Sequence, residues 1–542
     1  MVHYKKKNKF NALLLGLIVF INILFFNGSV HSYTINEQSL WEAKYLIQKN
    51  SIYDLPLEGV NSNDINEVIK YLKDPYSQYF TKEEFEKFVM GINQSFHGIG
   101  IYNESVPEGI KVDSFLPGSS AQEAGLKVGD IIISADGNSL KGLDLSKAVK
   151  YIKGEIGTFV KLTVKRGETI LNYNVERKEI KIPTVEGELL DNNVAYILIE
   201  SFGEDTPQLL NEKFKEMKSK GAEKYIIDLR NNTGGYTNSA YDILGYFIGD
   251  NVATVMKDSK NNEYKYKAQK HDYIIDKDII LLVNEYTASA SEILSAALKD
   301  YNKALLVGNK TYGKGVQQTI FSLSNGDVIK LTTHSFYSPL GKEINGVGIT
   351  PDINSGKVDP LRIAELLFSG KASTMDKSHL VKIIGENKKE YYIDLNKARD
   401  KNYRKAFKHI LNSTKEGNIF IGTQSGWNKL TKKDIANEVN IYFNDYSKLP
   451  KLVKSKEKAT FKIKLNKNVD SKTVNSNTIK LINEQTFEEI KGDFNLEKDN
   501  EIIFSPLQAS KLQGNYILLV EGLKDIDGNE LKNKTLLPVQ FQ

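Results

Sequence analysis

Apolar side chains recur at helical spacing at Leu40, Ala43 and Ile47, and again at Ile65, Val68, Ile69 and Leu72, which predicts a helical segment over residues 33–94. Asp74-Pro75-Tyr76-Ser77 breaks the second helix, and Thr81-Lys82-Glu83-Glu84 opens a third with a capping box. From Phe96 the period shortens, and strand-like runs alternate with glycine turns to about Lys178. Residues 179–365 carry short, continuous apolar runs at 194–199, 225–229, 279–283 and 304–307, as strands buried on both faces should. Helical stretches near 207–219, 237–248 and 289–300 lie between or after them, which is an α/β layout. Residues 366–458 are polar, rich in Lys and Asn and weakly patterned. A helix around 399–411 is expected there and no fold is assigned. Short alternating strands return over 459–542, with turns expected at Asn466-Lys467-Asn468, Gly492-Asp493 and Asp527-Gly528-Asn529, a β-sandwich pattern.

The first 32 residues fit neither pattern. Lys5, Lys6, Lys7 and Lys9 precede an uncharged apolar run from Phe10 to Phe26, broken by Asn11 and Asn22. A positive region before an apolar stretch is an export signal, and Val30-His31-Ser32 offers a place to cut. The run is long for a signal core and short for a spanning helix, so both a cleaved signal peptide and a retained membrane anchor stay open. Either way the remainder is expected outside the cytoplasm, secreted, anchored to the membrane or associated with the cell wall. Removing the four lysines lowers the net charge from +5 to +1, which leaves no case for nucleic-acid binding. The absence of cysteine excludes disulfides, a thiol nucleophile, a lipoprotein anchor and thiolate metal sites.

Two constellations carry chemistry. The first is an ordered series: Gly98-Ile99-Gly100-Ile101, a strand at Lys111-Val112-Asp113-Ser114-Phe115, then Ala124-Gly125-Leu126-Lys127-Val128-Gly129-Asp130, the turn Asp136-Gly137 and a helix over 145–153. The second comprises three segments, each at the carboxyl end of an expected strand, where α/β sheets place their sites. They are Asp228-Leu229-Arg230-Asn231-Asn232-Thr233-Gly234-Gly235, then Thr287-Ala288-Ser289-Ala290-Ser291-Glu292, and Tyr312-Gly313-Lys314-Gly315 followed by Gln317-Gln318. A serine at a strand-to-helix turn needs a base. Only His271 and His334 lie in this region, neither in a triad motif, so lysine is the alternative. A lysine base must be desolvated to a pKa of about 7–8.

The first series resembles a PDZ domain of exported proteases, over residues 95–178. The resemblance implies that Gly98, Ile99, Gly100 and Ile101 hold a terminal carboxylate while an extended peptide adds to a sheet edge. A PDZ domain that only docks internally is the other reading. The second constellation, together with Asp74-Pro75-Tyr76-Ser77 and Gly346-Val347-Gly348-Ile349-Thr350-Pro351, resembles the C-terminal processing peptidases, which include tail-specific protease. That resemblance implies a serine endopeptidase with Ser289 as nucleophile, Lys314 as general base and Gln318 orienting the lysine amine. The backbone N–H groups of Gly235 and Ala290 would form the oxyanion hole. Ser291 is the rival nucleophile, and Glu292 is read as structural. Thr233 stands where the family usually has proline. No cofactor or metal is implied. The expected partners are protein substrates with accessible C-terminal tails and a second copy of the chain in a homodimer. Residues 459–542 resemble a bacterial Ig-like domain through Phe461-Lys462-Ile463-Lys464-Leu465-Asn466, Thr473-Val474-Asn475-Ser476-Asn477-Thr478 and Gly522-Leu523-Lys524-Asp525-Ile526-Asp527-Gly528-Asn529. The whole is therefore expected to be a multidomain α/β plus β protein. The alternative function is a non-catalytic cell-surface scaffold that binds peptides or wall components.

Overall fold

The computed structural model describes residues 37–371, 373–436, 438–455, 457 and 459–542. The apolar segment expected to act as signal or anchor lies outside the described residues. Among these, no helix is long and apolar enough to cross a membrane. The chain divides into two compact units, Met1–Thr350 and Pro351–Gln542.

The first unit opens with helices α1 (Glu37–Asn50), α2 (Leu57–Asn61) and α3 (Ile65–Tyr71). Strand β1 (Gln78–Phe80) follows, and then α4 (Lys82–Ile92), whose capping box joins Thr81 and Glu84. The apolar stripes of α1 and α3 bury Ala43, Ile47, Ile65 and Val68 against Leu323, Ile329 and Leu331. Ile329 and Leu331 belong to, and Leu323 lies in the turn of, a sheet built from β13 (Val252–Lys257), β14 (Glu263–Lys267), β17 (Val316–Ser322) and β18 (Val328–Tyr337), with strand order β1-β18-β13-β14 and β17 paired to β18. A bulge between Gln317 and Gln318 sets Gln318 opposite Thr332.

The module at 95–178 has a sheet of order β3 (Ile101–Val106), β4 (Gly109–Phe115), β5 (Ile131–Ala135), β7 (Phe159–Arg166), β8 (Thr169–Glu176), with β6 (Asn138–Ser139) paired to β5. After the one-turn helix α5 (Ser120–Glu123), helix α6 (Leu145–Ile152) buries Ala148 and Ile152 in its core with Ile99, Ile101, Val112, Val160 and Val175. β3 is an edge strand. The chain enters through β2 (Ser95–Gly98) and leaves through β9 (Lys178–Lys181), which pair antiparallel and hold both connections side by side.

In the α/β region β10 (Val185–Leu190) pairs antiparallel with β11 (Val194–Ile199). β11 continues in parallel through β12 (Lys224–Asp228), β15 (Asp278–Val283) and β16 (Ala304–Gly308). The expected apolar runs are these strands, largely buried, with β16 buried throughout. Helices α7 (Thr206–Ser219), α8 (Thr237–Ile248) and α9 (Ala290–Asp300) supply Leu210, Phe214, Leu244, Phe247, Ile293 and Leu298 to the core they share. Because the strands are parallel and in register, Asp228, Val283 and Gly308 end at one edge, where the three loops emerge.

The second unit contains a sheet of order 390–394, 380–384, 419–422, 427–429, with helices at Leu395–Arg399 and Arg404–Ser413, the latter answering to the helix expected over 399–411. Strands beyond 459 lie in two sheets that share one core of Phe461, Ile479, Leu481, Ile502, Phe504, Leu518, Val539 and Phe541. One expected turn is corrected. Gly492 and Asp493 open a strand, Gly492–Lys498, opposite Pro506 and Ser505. The glycine marks close packing and not a reversal, since a Cβ there would lie 2.4 Å from the Phe504 ring.

Candidate active site

The loop after β12 is fixed before it reaches the site. Arg230 Nη2 holds the buried Asp228 carboxylate at 2.6 Å, and the Tyr196 hydroxyl donates to the same carboxylate at 2.8 Å. Asn232 donates through Nδ2 to the Ile199 carbonyl at 2.8 Å and accepts the Gly234 N–H at 2.9 Å. The loop after β15 is tied to it: Asn284 Nδ2 donates to Asn231 Oδ1 at 2.8 Å, the Thr287 hydroxyl to the Leu229 carbonyl at 2.9 Å, and the Ala288 N–H to the Asn232 carbonyl at 3.1 Å.

These ties put Gly234-Gly235 against the turn that carries Ser289. A Cβ on Gly234 would lie 2.8 Å from the Ser289 Cβ and 2.9 Å from the Ala290 nitrogen, and its φ is +103°, so no side chain fits between the loops. Ser289 is itself left-handed, with φ 59° and ψ −118°, at the N-terminus of α9. This strained bend lies directly ahead of a helix N-terminus. Ser291 is fully buried and its hydroxyl donates to the Asn232 carbonyl at 3.0 Å, so it serves the fold.

The third loop is joined to the second by one buried carboxylate. Glu292 accepts the Ser289 N–H at 2.9 Å and the Lys314 N–H at 2.8 Å on Oε2, and on Oε1 the Gly313 N–H at 2.7 Å and the Thr311 hydroxyl at 2.6 Å. Burial pushes the Glu292 pKa up, against the pull of these donors. The Lys314 amine ends over the Tyr76 ring, 4.8 Å from its centroid. Burial brings its pKa down to about 8, opposed by the charges of Asp74 and Glu292. Asp74 is buried and accepts from the Ser77 hydroxyl at 2.5 Å, from the Ser77 N–H at 2.9 Å and from the Tyr76 N–H at 3.0 Å. The Ser77 hydroxyl in turn accepts the Thr332 N–H at 2.9 Å. Gln318 Nε2 lies 3.2 Å from the Thr332 hydroxyl and 3.4 Å from the Val316 carbonyl.

Residues 193–355 match the profile of peptidase family S41, and residues 111–166 match that of a PDZ domain. A "Probable CtpA-like serine protease" of Staphylococcus aureus (strain COL) is 34% identical over 408 residues, covering 72% of this chain and 82% of that protein. The chain belongs to the CtpA-like serine proteases of peptidase family S41. A Staphylococcus epidermidis protein of the same description is 36% identical over 299 residues, covering 55% of this chain and 61% of its own. Among solved structures, a photosystem II D1 C-terminal processing protease is similar at 23% identity and a TM-score of 0.38, covering 60% of this chain and 94% of that one.

In this S41 peptidase two further residues, Glu292 and Tyr76, touch the expected pair. Glu292, expected to be structural, joins the serine and lysine loops; its place three residues after the helix-opening serine is the signal for that. Tyr76 lies in a motif that breaks a helix and shares in the family resemblance, but no local pattern links it to a lysine so far along the chain. The PDZ residues Gly98 to Ile101 lie apart from this cluster, in their own module. There the Ile99 carbonyl accepts from the Ala121 N–H and the Ser119 hydroxyl, both at 3.0 Å.

Proposed function

We propose that this S41 serine protease is an exported endopeptidase of the C-terminal processing type, acting through a Ser289–Lys314 dyad. The observation that carries this reading is the Glu292 carboxylate, which takes one N–H from Ser289 and one from Lys314 and so couples a strained serine to a desolvated amine. In the first step the neutral Lys314 amine takes the Ser289 hydroxyl proton as Oγ bonds to the scissile carbonyl carbon. The resulting oxyanion is received by the N–H groups of Gly235 and Ala290, each donor contributing roughly 3–4 kcal/mol. The tetrahedral intermediate collapses, the C–N bond breaks, and the Lys314 ammonium returns its proton to the leaving amine. Water, deprotonated by the same amine, then adds to the acyl carbon, the C–Oγ bond breaks, and the Lys314 ammonium returns the proton to Ser289 Oγ as the acid product leaves. Gln318 orients the amine, its own amide nitrogen resting on Thr332 and Val316.

A fluorophosphonate probe tests this reading. It should label wild-type protein at Ser289 and at no other serine, at a rate that rises with pH through about 8, as the Lys314 amine loses its proton. Labelling that is flat between pH 6 and 9 counts against a lysine base. Absence of labelling with intact peptide binding favours the scaffold reading.

The PDZ domain is proposed to take substrate tails by their carboxylate and to gate the site. The open edge of β3 supports strand addition there. Gly100 has φ +74°, and a Cβ would lie 2.8 Å from the Ser119 Cα. Gly100→Val should therefore weaken binding of a labelled tail peptide by about tenfold or more in fluorescence anisotropy. Amidating the peptide's C-terminus should do the same to wild type. Export through the N-terminal segment, membrane attachment if that segment is retained, assembly as a homodimer, and an Ig-like sandwich at 459–542 belong to the same proposal.

A further inference from the structure

An aromatic ring covers the Lys314 amine. Its Nζ stands 4.8 Å from the Tyr76 centroid, and among the described residues it makes no hydrogen bond or ion pair. The ring is held in place by its own turn. The Tyr76 N–H donates to Asp74 Oδ1 at 3.0 Å, while the Ser77 N–H and hydroxyl donate to Oδ2 at 2.9 and 2.5 Å. Pro75, with its fixed φ, stiffens the bend between them. The Ser77 hydroxyl also accepts the Thr332 N–H at 2.9 Å, and Gln78 to Phe80 continue antiparallel to Lys330, Ile329 and Val328. The turn is thus pinned to β18 at Thr332, whose hydroxyl lies 3.2 Å from the Gln318 amide nitrogen.

The charged and titratable groups around the amine are few. Asp74 lies in the turn beneath the ring and Glu292 on α9; both favour the ammonium, and both are already bound by the donors given above. Lys330, on β18, is the cation that feels the Lys314 charge. The Tyr312 hydroxyl, on the lysine's own loop, meets that of Tyr76. Burial, and after it Tyr312, pushes the Tyr76 hydroxyl up, so it keeps its proton across the range in which a lysine base works. With two carboxylates favouring the ammonium, the fall of Lys314 to about 8 is the result of lost hydration. An aromatic face attracts an ammonium, but less strongly than the water it displaces. The ring therefore acts on this amine chiefly by excluding water.

We propose that Tyr76 is a positioning residue for the general base: its ring, fixed by the Asp74–Ser77 turn, covers the Lys314 amine, keeps water from it and so holds it neutral to take the Ser289 proton. This rests on the Ser289–Lys314 reading.

The test is kcat/KM of the full chain on an unstructured polypeptide from pH 6 to 10, for wild type, Tyr76→Ala and Tyr76→Phe. Tyr76→Ala admits water to the amine and should move the ascending limb to higher pH, cutting the rate about 10-fold at pH 7 and converging on wild type near pH 10. Tyr76→Phe keeps the ring and loses only the hydroxyl, so its limb should coincide with that of wild type. A Tyr76→Ala limb that stays in place, or a rate reduced equally at every pH, overturns the proposal. So does a Tyr76→Phe limb displaced as far as that of Tyr76→Ala, which would assign the effect to the hydroxyl and Tyr312. If Tyr76→Ala fails to fold, Tyr76→Leu, which keeps apolar volume without a flat cover, should move the limb in the same direction, and an unmoved limb again overturns it. Lys314→Ala separates the two levels. If it is inactive at every pH while the Tyr76→Ala limb is unmoved, only the role of Tyr76 fails; if it cleaves normally, the dyad itself is wrong and the role of Tyr76 falls with it.

Discussion

Ser289→Ala should lower kcat/KM by about four to six orders of magnitude, the scale for removing a nucleophile that works as a unit with its base. Stability should change by less than about 1 kcal/mol. The bond from this residue to Glu292 is made by its backbone N–H, and alanine keeps it. The left-handed φ of 59° is as costly for alanine as for serine, so the strain of the turn is unchanged as well. Ser291→Ala is the control. Its buried hydroxyl donates to the Asn232 carbonyl, and losing that bond should cost about 1–2 kcal/mol in urea unfolding. The rate should fall by no more than about tenfold, because the Asn232 loop also carries the glycine pair. If Ser291→Ala abolishes fluorophosphonate labelling and Ser289→Ala does not, the nucleophile has been assigned to the wrong serine.

Much of the catalytic region was legible because its signals are local. Apolar runs such as Ile279 to Val283 announce strands buried on both faces, and the glycines and polar residues directly after them mark the loops that emerge at one sheet edge. Ser289 sits at a strand-to-helix boundary visible in the hydrophobic period alone. What was not legible depends on distant pairing. Tyr76 covers the Lys314 amine from far earlier in the chain, and a contact of that kind leaves no mark in a local window. Residues 380–429 were left without a fold for a related reason. Their strands are short, and Lys382, Tyr392, Phe420 and Lys429 occupy one cross-strand row, so lysines and aromatics share the outer face and blur the alternation. Gly492 misled because glycine marks turns and close-packed strands alike, and only the Phe504 ring above it tells them apart.

The largest effect on stability is expected at Glu292. Its fully buried carboxylate receives the N–H groups of Ser289, Gly313 and Lys314 and the hydroxyl of Thr311. Alanine would leave these donors without their acceptor, at a cost of about 1–3 kcal/mol for each donor that finds no water. Partial hydration reduces the sum, so Glu292→Ala should lose about 3–5 kcal/mol in urea unfolding. Glu292→Gln keeps one acceptor oxygen but turns an NH2 group toward two donors, and should fall between alanine and wild type. Activity should drop further than stability implies. With the link gone, the serine turn and the lysine loop are no longer held at one spacing, and displacement of about 1 Å costs on the order of 100-fold in rate. The comparison that decides the matter is made well below the melting point of the variant, where the protein is fully folded. A Glu292→Ala protein that is destabilised yet cleaves at the wild-type rate there would show that the carboxylate serves the fold alone. One that is slow and is not rescued at any pH would place it in the alignment of the dyad, since a change confined to the Lys314 proton would be recovered above pH 8.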